Sequence, residues 1–62
     1  MTEYQNLPND PAMLLSFVNT QLRDNYPSFS EFVAAFHAEA DAITEKLKMI
    51  DYEYDETQNQ FV

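Results

Sequence analysis

The sequence predicts a mainly α fold: three short helices of helix-turn-helix type, closed by a short C-terminal β-hairpin. Three observations carry that prediction. Two helix starts, Asn9-Asp10-Pro11 and Ser28-Phe29-Ser30-Glu31, consist of residue types that satisfy open first-turn amides. Apolar residues then recur at three- and four-residue spacing as far as Ile50. Beyond Ile50 the period changes to two, with Tyr52 and Tyr54 alternating with Asp51, Glu53 and Asp55.

In the first helix, the Asp10 carboxylate can accept from the first-turn amides, and Pro11 sits where a missing N–H costs nothing. Leu14, Val18 and Leu22 then fall four apart, and Met13, Leu15 and Phe17 widen the stripe. Pro27 biases Tyr26 out of the α region and ends the segment near Asp24. The second helix opens on a capping box, Ser28 with Glu31, and places Phe29, Phe32, Val33 and Phe36 on one face. His37 is expected to close it in the left-handed conformation. A third helix starts at Glu39 or Asp41, with Ile43, Leu47 and Ile50 as its stripe and Lys46 and Lys48 near its end. Ala38 is expected to plug the corner before it. Residues 56–59 form a hairpin loop with Asn59 left-handed, and Tyr52, Tyr54 and Phe61 pack the hairpin on the helices.

These elements divide the chain into an N-terminal arm, residues 1–9, and one domain, residues 10–62, whose hairpin occupies about residues 52–62. The arm is expected to be flexible, with Leu7 tucked against the first helix. A 62-residue chain buries only about 60% of its unfolded surface, so the stability margin is thin. With no cysteine, disulfides and thiolate metal sites are excluded. The 45% hydrophobic content and nine aromatic residues nonetheless support a packed core.

Leu7-Pro8-Asn9-Asp10-Pro11, the run from Val18 through Asn19-Thr20-Gln21-Leu22-Arg23 to Asp24, and Ile50-Asp51-Tyr52-Glu53-Tyr54-Asp55 with Asn59-Gln60-Phe61 resemble a family of very short bacterial proteins, domain of unknown function 4250. The spacing of Phe29, Phe32, Phe36, Ile43 and Leu47 extends the likeness over nearly the whole chain. Ala40 and Ala42 depart from the family pattern, where charged residues are more usual. The family carries no assigned activity, so the resemblance implies a fold and transfers no functional residue.

The residues themselves narrow the function classes. Eleven acids stand against Arg23, Lys46 and Lys48, a formal net charge of −8. Such a surface repels phosphate backbones and anionic lipid and steers cationic partners inward, or serves solubility alone. The second and third helices with the hairpin as a wing have the outline of a DNA-binding unit. Affinity for DNA rests on basic side chains, however, and the third helix offers two lysines against Glu39, Asp41 and Glu45. Asp51, Glu53, Asp55 and Glu56 mimic a calcium loop, but its sixth and twelfth positions hold Glu56 and Val62 in place of glycine and glutamate. A lone His37 gives neither a metal set nor a base for three serines, and phosphate-cradling loops need glycine, of which there is none.

No catalytic residue, metal or cofactor is therefore expected. The leading expectation is a small non-enzymatic protein-interaction module, self-association included; a winged helix-turn-helix regulator of nucleic acid is the alternative, and an acidic nucleic-acid mimic stays in reserve. The candidate surface is Met13, Leu15, Phe17, Asn19, Arg23, Tyr52 and Tyr54, drawn from the wide first-helix stripe and the hairpin rim. Asn19 has a competing structural reading, a hydrogen bond to the hairpin backbone or to the corner between the second and third helices. Arg23 is expected to pair with a neighbouring acid. Apolar runs such as residues 12–15 are far below the ~20 residues of a bilayer span, and residues 1–6 lack the pattern of a signal peptide. A cytoplasmic protein with no membrane or small-molecule partner is expected.

Overall fold

Asp10 opens α1 (Pro11–Asp24): its carboxylate accepts from the Met13 amide at 3.1 Å, and Pro11 occupies the first turn. The computed structural model describes residues 7–62. Ser28 opens α2 (Phe29–Phe36), its hydroxyl accepting from the Glu31 amide at 3.2 Å, which is one of the two bonds of a capping box. The third helix, α3 (Ala40–Lys48), follows with Glu39 as its cap residue in extended backbone and Asp41 in its first turn. The antiparallel hairpin consists of β1 (Tyr54–Asp55) and β2 (Gln60–Phe61).

Without glycine, the chain closes its helices with other residues. His37 (φ 53°) ends α2 while its amide bonds Ala34 O and the Ala38 amide bonds Val33 O. Asp51 (φ 67°) ends α3 in the same way, with Asp51 N–H donating to Lys48 O at 2.9 Å and Tyr52 N–H to Leu47 O at 3.0 Å. Both are complete Schellman closures. The second corrects the sequence reading, which put Asp51 on the polar face of a strand. The strand pairing begins two residues later, where Glu53 and Val62 exchange backbone bonds at 2.9 and 2.8 Å. The loop of residues 56–59 follows the expectation, with Asn59 left-handed at φ 55°.

A left-handed non-glycine residue is held against its preference. Asp51→Gly is therefore expected to stabilise the domain by roughly 0.5–1 kcal/mol, after the entropy that glycine gains in the unfolded chain. Asp51→Asn, which removes the charge beside the helix C-terminus while tolerating the conformation, should give less. Thermal melts of the three proteins check this, and a glycine variant that melts no higher than the parent would refute it.

The core is Leu14, Val18 and Leu22 of α1, Phe32 of α2, Ile43 and Leu47 of α3, and Phe61 of β2. Helix α1 is the hub, packing on α2, α3 and β2. The wide stripe of α1 is largely covered: Leu15 and Phe17 pack against the core, and the Phe17 ring meets Phe32 and Phe36 edge-on at 6.3 and 5.7 Å. Met13 is the member left outside, 63% exposed. Ala38, Tyr52 and Tyr54 pack against the core as well. Of the arm, Leu7 packs on the core and Asn9 O accepts from the Lys46 ammonium at 3.1 Å; residues 1–6, the greater part of the expected flexible arm, lie outside the described residues.

Candidate functional site

Two asparagines stitch the hairpin to α1. Asn19 sits mid-helix and faces β2: its Nδ2 donates to Phe61 O at 3.1 Å and its Oδ1 accepts from Phe61 N–H at 2.8 Å. Strand pairing explains the match. Glu53 and Val62 form a hydrogen-bonded pair, so the neighbouring Tyr54–Phe61 pair directs its backbone groups away from the partner strand. The side-chain amide thus supplies to Phe61 what a third strand would.

Asn59 works at the other end of α1. Its Nδ2 donates to Leu22 O at 3.1 Å and to Tyr26 O at 3.0 Å, reaching a carbonyl left open at the helix terminus. Its Oδ1 accepts from the Tyr54 hydroxyl at 2.6 Å, and that hydroxyl accepts in turn from the Phe29 amide at 3.2 Å. One left-handed loop residue therefore joins β1, the end of α1 and the first turn of α2. The sequence marked the conformation of Asn59; the reach of its side chain depends on where α1 ends, which no local pattern encodes.

Of the seven candidate surface residues, Leu15, Phe17, Asn19, Tyr52 and Tyr54 are partly buried and contribute to packing or internal hydrogen bonds. Met13 and Arg23 are exposed at opposite ends of α1, roughly 15 Å apart along the axis. The structure does not gather these seven side chains into one patch. Arg23 pairs with Asp24 at 2.9 Å, as the sequence suggested. Hydrogen bonding within this pair, with a smaller electrostatic part, raises the arginine and lowers the Asp24 carboxyl; at such exposure it contributes little to stability.

The hairpin carries the stronger electrostatic feature. Asp51, Glu53, Asp55 and Glu56, together with Lys48, line an open groove of about 480 Å³. Asp55 is fixed there by the Gln58 side-chain amide at 3.0 Å and the Thr57 N–H at 2.9 Å, and these bonds, the first foremost, hold its carboxyl below the ordinary value. A depressed folded pKa stabilises above the unfolded value of about 3.9 and ceases to do so as pH falls through the folded one. Asp55→Asn should therefore melt below the parent at neutral pH, and the gap should close as pH falls below about 3.9. Melts across that range, with carboxyl NMR of Asp55, check this; a gap independent of pH would contradict it.

A separate apolar groove lies beside Leu7, between Leu14, Ala42 and Ile43. Among the described residues no three His, Asp or Glu side chains are grouped to hold a metal ion. No described helix is long and apolar enough to cross a membrane.

The family described as domain of unknown function (DUF4250) matches residues 8–61. This chain is a member of it. No curated protein and no solved structure matches the sequence. The matched stretch of this DUF4250 domain takes in both asparagine stitches, the three left-handed residues found among the described ones, and the four acids of the groove. The family's description assigns no activity, so the chemistry must be argued from these residues.

Proposed function

We propose that this DUF4250 domain is a small non-enzymatic protein-interaction module that either self-associates through its apolar surface or attracts a cationic partner by charge. The observation that carries this reading is how its polar groups are divided. The side chains that reach the interior, Asn19, Asn59 and the Tyr54 hydroxyl, are bonded to the chain's own backbone or to one another. Nearly all the described acids stand on the exposed surface, which also carries Met13 and Met49 at 63% and 76% exposure. Of the three cations, Arg23 is paired and Lys46 is bonded to Asn9 O. A cytoplasmic setting is proposed with it, since a core without cysteine needs no oxidising compartment to form.

The test combines sedimentation over a range of concentrations with affinity capture competed by untagged domain. Supporting results are reversible self-association, or a captured protein that is displaced by competitor and released by salt. A chain that stays monomeric and captures nothing that can be competed away would sink the reading.

One feature favours a second reading, a winged helix-turn-helix regulator of nucleic acid: residues 37–39 join α2 to α3, and a hairpin follows. Charge opposes it, because α3 presents Lys46 and Lys48 among Asp41 and Glu45. A low-salt gel shift with random duplex is expected to show no retardation; salt-sensitive retardation would replace the first reading with the second.

A further inference from the structure

The two edges of the hairpin are treated differently. On the β2 edge, the outward N–H and C=O of Phe61 end on Asn19. On the β1 edge, the pairing alternation turns the N–H and C=O of Tyr54 outward too, and no partner for them is found among the described residues. Among the described residues, the edge facing α1 is closed and the outer edge is open. Two grooves border Tyr54 and Glu56 at this outer strand: the acidic one of about 480 Å³, and another of about 400 Å³ beside Pro27, Ser28 and Phe29 at the start of α2.

We propose that the outer edge of β1 takes up an extended peptide segment with lysine or arginine at alternate positions, added as a third strand. The proposal rests on the interaction-module reading and names the chemistry of the partner. An added strand would supply the hydrogen bonds that no described residue gives the Tyr54 backbone, as Asn19 does for Phe61. Every second side chain of such a strand falls on one face, and Asp55 of β1 and Glu53, which pairs with Val62 just before it, stand two apart on the same side of the chain. Cations at that period would meet both carboxylates, with Asp51 and Glu56 at either end. The Gln58 and Thr57 bonds to Asp55 keep its carboxylate ionised and fixed in direction. The same charges select against a second copy, because pairing edge to edge would set this acidic row against itself. With one N–H/C=O pair available, charge carries the larger share of affinity, and binding must weaken as salt shortens the screening length.

The experiment uses the full chain, isotope-labelled, and a synthetic hexapeptide alternating Lys and Val. Two further versions of the peptide are N-methylated on one or the other alternating set of amides. Saturating unmethylated peptide is expected to slow exchange of the Tyr54 amide by about tenfold or more, and one methylated version should lose about tenfold in affinity while the other keeps it. A Glu53→Lys, Glu56→Lys double variant should bind about tenfold more weakly, and the milder Glu53→Gln should lose less. Melting curves establish that both variants are folded. Peptide-induced shifts that leave Tyr54 exchange unchanged, or equal binding by both methylated peptides, would overturn the proposal. Tyr54 protection that grows with protein concentration alone would assign the edge to a second copy and overturn it as well. If the peptides fail while competable capture or self-association is seen, this inference falls and the interaction-module reading stands; if all are absent, both fall.

Discussion

Asn19→Leu is expected to destabilise the domain by about 2–4 kcal/mol, the cost of leaving the Phe61 N–H and C=O without partners in a partly buried site. For a chain of this size that corresponds to a fall in melting temperature on the order of 10–20 °C. Leucine has nearly the shape of asparagine and a better helix propensity, so a loss of this size can only come from the broken bonds. Exchange of the Phe61 amide should accelerate more than that of amides in α3. Asn19→Asp separates the two bonds. Its carboxylate can still accept from Phe61 N–H, but its second oxygen then faces the Phe61 carbonyl.

That arrangement, together with partial burial and a net charge of −8, favours the protonated acid in the folded state. A raised folded pKa contributes stability that is full below the unfolded value and lost as pH rises through the folded one. The stability gap between Asn19→Asp and the parent should accordingly narrow as pH falls from 7 toward 4, which pH-dependent melts would read. Equal melting temperatures for parent and Asn19→Leu would mean that the hairpin is held by ring packing alone.

Asn19 also marks what the sequence could and could not convey. A polar residue inside an apolar stripe signals that a partner exists, and the hairpin backbone was one of two candidates. The cap residues Asp10 and Ser28, the left-handed His37 and Asn59, and the Arg23–Asp24 pair are set by contacts within a few positions, and a short window of sequence contains them. Coverage of α1 is different. Whether Leu15 and Phe17 face solvent depends on where Phe32, Phe36 and Phe61 arrive in space, and an apolar stripe has the same appearance whether or not something covers it. Asp51 was misread because strand alternation and a helix closure overlap there. The period-two pattern ran two residues too far back; the apolar Tyr52 that follows was the one signal of a Schellman closure, and the glycine that usually marks such a closure is missing. The open edge of β1 was invisible for a further reason: it follows from which strand pair exchanges hydrogen bonds, and register is not written in any single residue.

The aromatic centre should be the most sensitive place in the molecule. Phe32 is fully buried, and its ring lies 4.7 Å from Phe36, 5.8 Å from Tyr26 and 6.3 Å from both Phe17 and Phe29. Phe32→Ala removes the ring that all four share, and such truncations cost about 3–5 kcal/mol. At roughly 0.05–0.15 kcal/mol per residue, the whole domain holds only about 3–9 kcal/mol. Phe32→Ala is therefore expected to be largely unfolded at room temperature or to unfold at trace urea, as read by circular dichroism and near-UV signal. Phe32→Leu, which keeps part of the volume, supplies a measurable transition where the alanine variant has none. Met13→Ala, at the exposed end of the same apolar stripe on α1, should stay within about 0.5 kcal/mol of the parent. If Phe32→Ala instead costs no more than Met13→Ala, the rings are not the centre of the fold, and the covering of α1 must come from α3 and the arm.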